Sequence, residues 1–147
     1  MKFQPDHSPA PTVASYGADW VIIRTGLGAG QTPPTSEKHT RSLILCSQGE
    51  LLAWPCARFE DLNASHFEQL AQLPVEIVIF GSGARQRFVS PAWLAGLMHK
   101  RIGIETMDMA AACRTYNVLA SEGRQVALAL LLEPSASPLP DGDSVSS

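Results

Sequence analysis

The chain has no apolar run approaching the ~20 residues that span a bilayer, and its opening residues, MKFQPDHSPAPT, lack the apolar segment of a signal peptide. It has no basic block either. Eleven Lys and Arg against 14 Asp and Glu, mixed along the chain, leave a net charge of −3, which argues against neutralisation of a nucleic-acid backbone. Cysteine is scarce: Cys46, Cys56 and Cys113 are far apart, with no C-x-x-C pair, and His7, His39, His66 and His99 are equally scattered. Gly26, Gly28 and Gly30 have a suggestive spacing. No lysine or Ser/Thr follows at the phosphate-loop position, however, and Pro33-Pro34 blocks a helix there. These absences lead us to expect a cytoplasmic protein with reduced, buried thiols, no metal site and no cofactor. Its expected partners are other proteins, a second copy of the chain included, and neither nucleic acid nor the membrane interior.

A length of 147 residues suits one core. Residues 1–12 hold three prolines and little to bury, so they are expected as a flexible arm; residues 13–133 form the domain, and the Pro-, Ser- and Asp-rich residues 134–147 a disordered tail. VASYG and DWVIIRT predict a hairpin, and residues 26–40 a long loop. RSLILCS and ELLAWPC, joined at Gln48-Gly49, predict a second hairpin. Asn63 is placed to cap a helix with Phe67, Leu70, Ala71 and Leu73 on its buried face, stopping at Pro74.

The apolar run VEIVIF predicts a strand covered on both faces. Ser90 and Pro91 start the next helix, Leu94, Leu97 and Met98 form its buried stripe, and Gly103 is expected to close it. A short strand follows from Ile102, then a helix over 108–122 with Met109, Ala112, Cys113, Tyr116, Leu119 and Ala120 facing the sheet and Gly123 as its left-handed cap, then the apolar strand QVALALLL. Alternating strands and helices with short connections imply a parallel βαβ core. The fold class is α/β, with N-terminal β-hairpins.

Ligands of open α/β sheets lie outside the carboxyl ends of the parallel strands. The sequence places Gly81, Ser82, Gly83 and Arg85 at one such end and Glu105 near the neighbouring one. The two glycines allow backbone amides to approach an anion, and the arginine adds charge. A tight strand-to-helix turn needs the same residues, and both readings stand at this level. On the 108–122 helix, Arg114, Asn117 and Ser121 share a polar flank with Val118 nearby, either as a recognition surface or as braces for neighbouring loops. Glu122, an acid at a helix C-terminus, calls for a compensating partner.

GSGARQRF after its strand, GIETMDMAAACRTYNVL and EGRQVALALL resemble a domain-of-unknown-function family that includes the mitochondrial respiratory complex I assembly factor 3 and uncharacterised bacterial and archaeal proteins. The resemblance covers most of residues 13–133, including SLIL, Trp54-Pro55 and FEDL at 59–62. It implies a three-layer α/β fold with a mixed central sheet and brings no catalytic residues; the assembly role belongs to the mitochondrial branch. We therefore expect a non-enzymatic protein-interaction or assembly factor, in respiratory-complex or membrane-protein biogenesis. The alternative is a small-molecule or anion binder, or an enzyme, using the 81–87 loop with Glu105.

Overall fold

The structure is a computed structural model that describes residues 10–26 and 34–134. Most of the expected arm, part of the 26–40 loop and nearly all of the expected tail lie outside the described residues. β1 (Thr12–Tyr16), β2 (Val21–Thr25) and β3 (Thr35–His39) form an antiparallel sheet in that order. Thr12 already pairs with Arg24, so regular pairing begins inside the stretch assigned to the arm. The strand β3 corrects the expectation of a loop through residue 40. Its residues TSEKH pair fully with β2, but all are polar and nearly all exposed, so no alternation of burial marks them as a strand.

The larger sheet contains β4 (Leu43–Cys46), β5 (Leu51–Ala53), β6 (Ile77–Gly81), β7 (Gly103–Met107) and β8 (Val126–Leu130), in the order β5-β4-β8-β6-β7. β6 runs parallel to both β7 and β8, whereas β4 is antiparallel to β8 and β5. Strands β7, β6 and β8 form the parallel core expected from the alternating pattern, and the sheet as a whole is mixed, as the family resemblance implies. Every residue of β8 is buried, because helices and strands cover both faces; an unbroken apolar run satisfies such a strand.

Helices α1 (Ala64–Ala71) and α2 (Ala95–His99) cover one face, and α3 (Met109–Ser121) with the three-stranded sheet covers the other. Asn63 caps α1, accepting from the Ser65 N–H, while His66 Nδ1 accepts the Asn63 N–H in return. On this face Trp54, Phe67 and Phe80 meet edge to face at 5.6–5.9 Å, and Trp93 stacks on Phe67 at 5.7 Å. Each such pair contributes about 0.5–1.5 kcal/mol beyond its buried area.

The segment before β7 departs from expectation. Residues Pro91–Leu94 form a 3-10 turn and only five residues continue as α2. The tighter turn shifts the phase of the side chains: Leu97 is buried, Leu94 partly so, and Met98 is 70% exposed. The helix closes at Arg101, not Gly103. Arg101 takes φ 60°, and the Arg101 and Ile102 N–H groups donate back to the Met98 and Leu97 carbonyls, which is the Schellman arrangement. Gly103 instead begins β7, donating its N–H to the Glu76 carbonyl.

Candidate functional site

β6 delivers Gly81, Ser82 and Gly83 to the carboxyl end of the sheet. Ser82 is fully buried, and its polar groups are used within the turn. The N–H donates to the Met107 carbonyl at 2.8 Å. The hydroxyl donates to the Arg85 carbonyl at 2.8 Å, with the Met107 carbonyl at 3.2 Å as the longer alternative, and accepts the Arg87 N–H at 2.8 Å. Arg87 turns back to donate to the Ser82 carbonyl through Nε at 3.0 Å and to Glu133 Oε1 through Nη2 at 2.7 Å. The other Glu133 oxygen accepts the Phe59 N–H at 2.9 Å, and the Arg87 guanidinium lies 4.5 Å from the Phe59 ring centre. Burial opposes the charge on Glu133, but its bonds to Arg87 and Phe59 outweigh that cost and hold its pKa below the ordinary carboxylate value.

Both glycines meet packing or turn requirements. A Cβ on Gly81 would lie 2.7 Å from a Leu130 methyl and 3.1 Å from the Ala112 Cβ, so glycine lets α3 close on β6. Gly83 has φ 105°, a conformation that costs a residue with a side chain about 1–2 kcal/mol. Arg85 is exposed on the turn. Glu105 is exposed on the outer strand, paired in register with Ile79 and so two residues short of the strand end. No hydrogen bond or ion pair among the described residues joins it to the 81–87 loop. A shallow cleft of about 330 Å³ touches the loop at Gly83 and Ala84 and is otherwise lined by Tyr16, Gly17, Asp108 and Met109, without Ser82, Arg85 or Glu105.

The polar residues of α3 point to the edge of the smaller sheet. Asn117 accepts the Val13 N–H and donates to the Val13 carbonyl; Tyr116, buried, donates to the Pro11 carbonyl at 2.8 Å. Arg114 reaches the Tyr16 hydroxyl at 3.4 Å. Ser121 donates to the Val118 carbonyl one turn earlier at 2.7 Å, while the Val118 side chain is 54% exposed. At the helix end, Gly123 has φ 81°, and Arg124 pairs with Glu76 at 3.1 Å with Glu122 adding its field.

A larger cleft, about 710 Å³, lies at the carboxyl end of β8, on the side of the β4–β5 hairpin. Trp54 and Leu132 line it together with Pro55, Arg41, Asp61 and His66. The Leu132 N–H donates to the Ser42 hydroxyl and the Trp54 N–H to the Ser42 carbonyl, which fixes the two sides against each other. These residues escape the sequence reading because none belongs to a spaced motif. The available signal was the Trp54-Pro55 pair, a large aromatic at a strand end followed by a residue that stops the ladder.

This chain is 32% identical over 83 residues to a Xenopus tropicalis protein, the NADH dehydrogenase [ubiquinone] 1 alpha subcomplex assembly factor 3, a match that covers 55% of this chain and 45% of the relative. The chain thus covers about half the length of the assembly factors it matches. An uncharacterised protein of Rhodobacter capsulatus is 34% identical over 113 residues, 77% of this chain and 86% of the relative. A crystal structure of a Bordetella parapertussis protein superposes with a TM-score of 0.71 at 31% identity, covering 86% of this chain and 98% of that one. Its likeness extends to the mixed α/β architecture as a whole. The family of proteins of unknown function DUF498/DUF598 matches residues 13–131, and the chain belongs to that family.

Proposed function

We propose that the chain is a non-enzymatic cytoplasmic protein that acts by contact with other proteins during the assembly of a larger complex, a respiratory complex being the favoured client. The supporting observation is the fate of the polar groups at the strand ends. The Ser82 N–H and hydroxyl, the Arg87 guanidinium and the Glu133 carboxylate are spent on one another and on backbone, whereas a catalytic loop presents such groups to a substrate. Large apolar side chains stand in solvent instead: Phe88 is 78% exposed, and Met98 and Val118 are exposed at separate positions of the chain; aromatic and methionine side chains are among those enriched at protein contacts. The relationship to assembly factors is in keeping with this role.

The test is cross-linked capture of the tagged full-length chain from its own cells, alongside Phe88→Asp and Val118→Asp variants with unchanged melting temperatures. Subunits of a respiratory complex should be enriched by the parent and lost with at least one variant. If no such subunit is enriched, or if both variants retain the full set, the proposal fails. A second reading, an anion at the 81–87 loop, is favoured by Arg85, which is exposed and in no ion pair among the described residues. It requires phosphate or sulfate to raise the melting temperature of the parent but not of Arg85→Ala.

A further inference from the structure

We infer that the 710 Å³ cleft beside the β4–β5 hairpin binds a small zwitterion carried on an apolar body, for which an amino acid with an aromatic or aliphatic side chain is the simplest member. The cleft falls within the size range of small-molecule sites and lies at the carboxyl end of a parallel strand. Its floor is apolar, with Trp54 and Leu132 each 2% exposed and Pro55 beside them.

The wall's other polar side chains are already engaged. The Trp54 indole N–H donates to the His66 carbonyl at 3.3 Å, and the Cys56 thiol to the Arg58 carbonyl at 3.0 Å. The Ser42 hydroxyl takes the Leu132 N–H at 2.9 Å. His66 is used at both nitrogens: Nδ1 accepts the Asn63 N–H at 3.1 Å, which leaves the proton on Nε2, 2.9 Å from the Pro55 carbonyl. Apart from the Thr40 and Ser42 hydroxyls, what remains to meet a ligand is one cation, Arg41, and one anion, Asp61. Both line the cleft and neither is in an ion pair among the described residues. A cleft lined by apolar side chains and by two opposite charges matches a ligand bearing a carboxylate, an ammonium and an apolar group. A lone anion would leave Asp61 unfavourably placed, and a lone cation Arg41. The site is independent of the protein-contact role.

Titration of the full-length protein by amide chemical shifts tests this with three probes: L-phenylalanine, 3-phenylpropionate, which lacks the ammonium, and phenethylamine, which lacks the carboxylate. L-phenylalanine should move the amides of residues 40–42, 53, 54, 56, 57 and 132, and bind about three- to tenfold more tightly than either single-charge probe. Arg41→Gln should remove its advantage over phenethylamine, and Asp61→Asn its advantage over 3-phenylpropionate. Glu60→Gln, a neighbouring charge outside the cleft lining, should change neither. No shift in those amides, shifts only around residues 16–18 and 83–84, or equal affinity for all three probes would each overturn the assignment.

Discussion

The side-chain amide of Asn117 closes both backbone groups of Val13, 104 residues earlier in the chain: Oδ1 accepts the Val13 N–H at 2.9 Å and Nδ2 donates to the Val13 carbonyl at 3.0 Å. β1 is an edge strand of the smaller sheet, and Asn117 supplies to it what a further strand would have supplied. Tyr116 extends the brace by bonding the Pro11 carbonyl. The polar crowding on α3 therefore mounts one sheet on the other.

Asn117→Ala should leave the Val13 N–H and carbonyl without protein partners in a partly buried setting, at a cost of about 1–3 kcal/mol. Chemical denaturation measures the loss, and hydrogen exchange should show the Val13 amide opening before the β8 amides. Unchanged stability together with unchanged Val13 protection would show that the amide does not brace β1.

Gly81→Ala should destabilise by about 1–3 kcal/mol, because the added methyl falls 2.7 Å from Leu130 Cδ2 in a packed layer. Gly103→Ala is the matched comparison. Its nearest neighbour would be Ile77 Cγ1 at 3.8 Å, an ordinary contact, so its stability should stay within ~0.5 kcal/mol of the parent. Equal effects at the two positions would remove close approach as the reason for Gly81.

Glu133 gives the acid limb of the stability profile a definite sign. Its folded pKa is held below the ordinary 4.5 by Arg87 and Phe59 acting against burial. Its contribution is therefore complete above about pH 4.5 and disappears as pH falls through the lower folded value. The stability gap between the parent and Glu133→Gln should be constant near neutrality and shrink below about pH 4.5. A gap that widens on acidification would contradict the ion pair with Arg87.

Thiol reagents should distinguish burial from reactivity. Burial pushes the Cys113 thiol up to about 12 despite the neighbouring Arg114 charge, and burial with the Glu50 charge pushes Cys46 up to about 11. At pH 8 both should label only as fast as the protein opens. Cys56, at the larger cleft, should label first. Rapid labelling of Cys113 in the folded protein, followed by mass spectrometry, would refute this order.

The sequence by itself determined the features that a short window of chain encodes. The 3.6-residue repeat of Met109, Ala112, Cys113, Tyr116 and Ala120 defines the buried face of α3, Asn63 caps α1 in place, and Gly123 ends α3. The unbroken apolar runs of β6 and β8 announce strands covered on both faces, because only there does period-two alternation vanish. Even locally, a 3-10 turn was enough to move Met98 from the expected stripe into solvent, and the polar β3 carried no burial pattern to read. Tertiary structure alone decided which distant groups meet. Arg87 finds Glu133 across 46 residues and Asn117 finds Val13 across 104, pairings set by the order β5-β4-β8-β6-β7 and by the packing of α3 against the smaller sheet. Hydrogen bonds and clefts of that kind depend on where separate chain segments cross, and a one-dimensional pattern of polar and apolar residues specifies the faces that must be buried without naming the partner each polar group will find there.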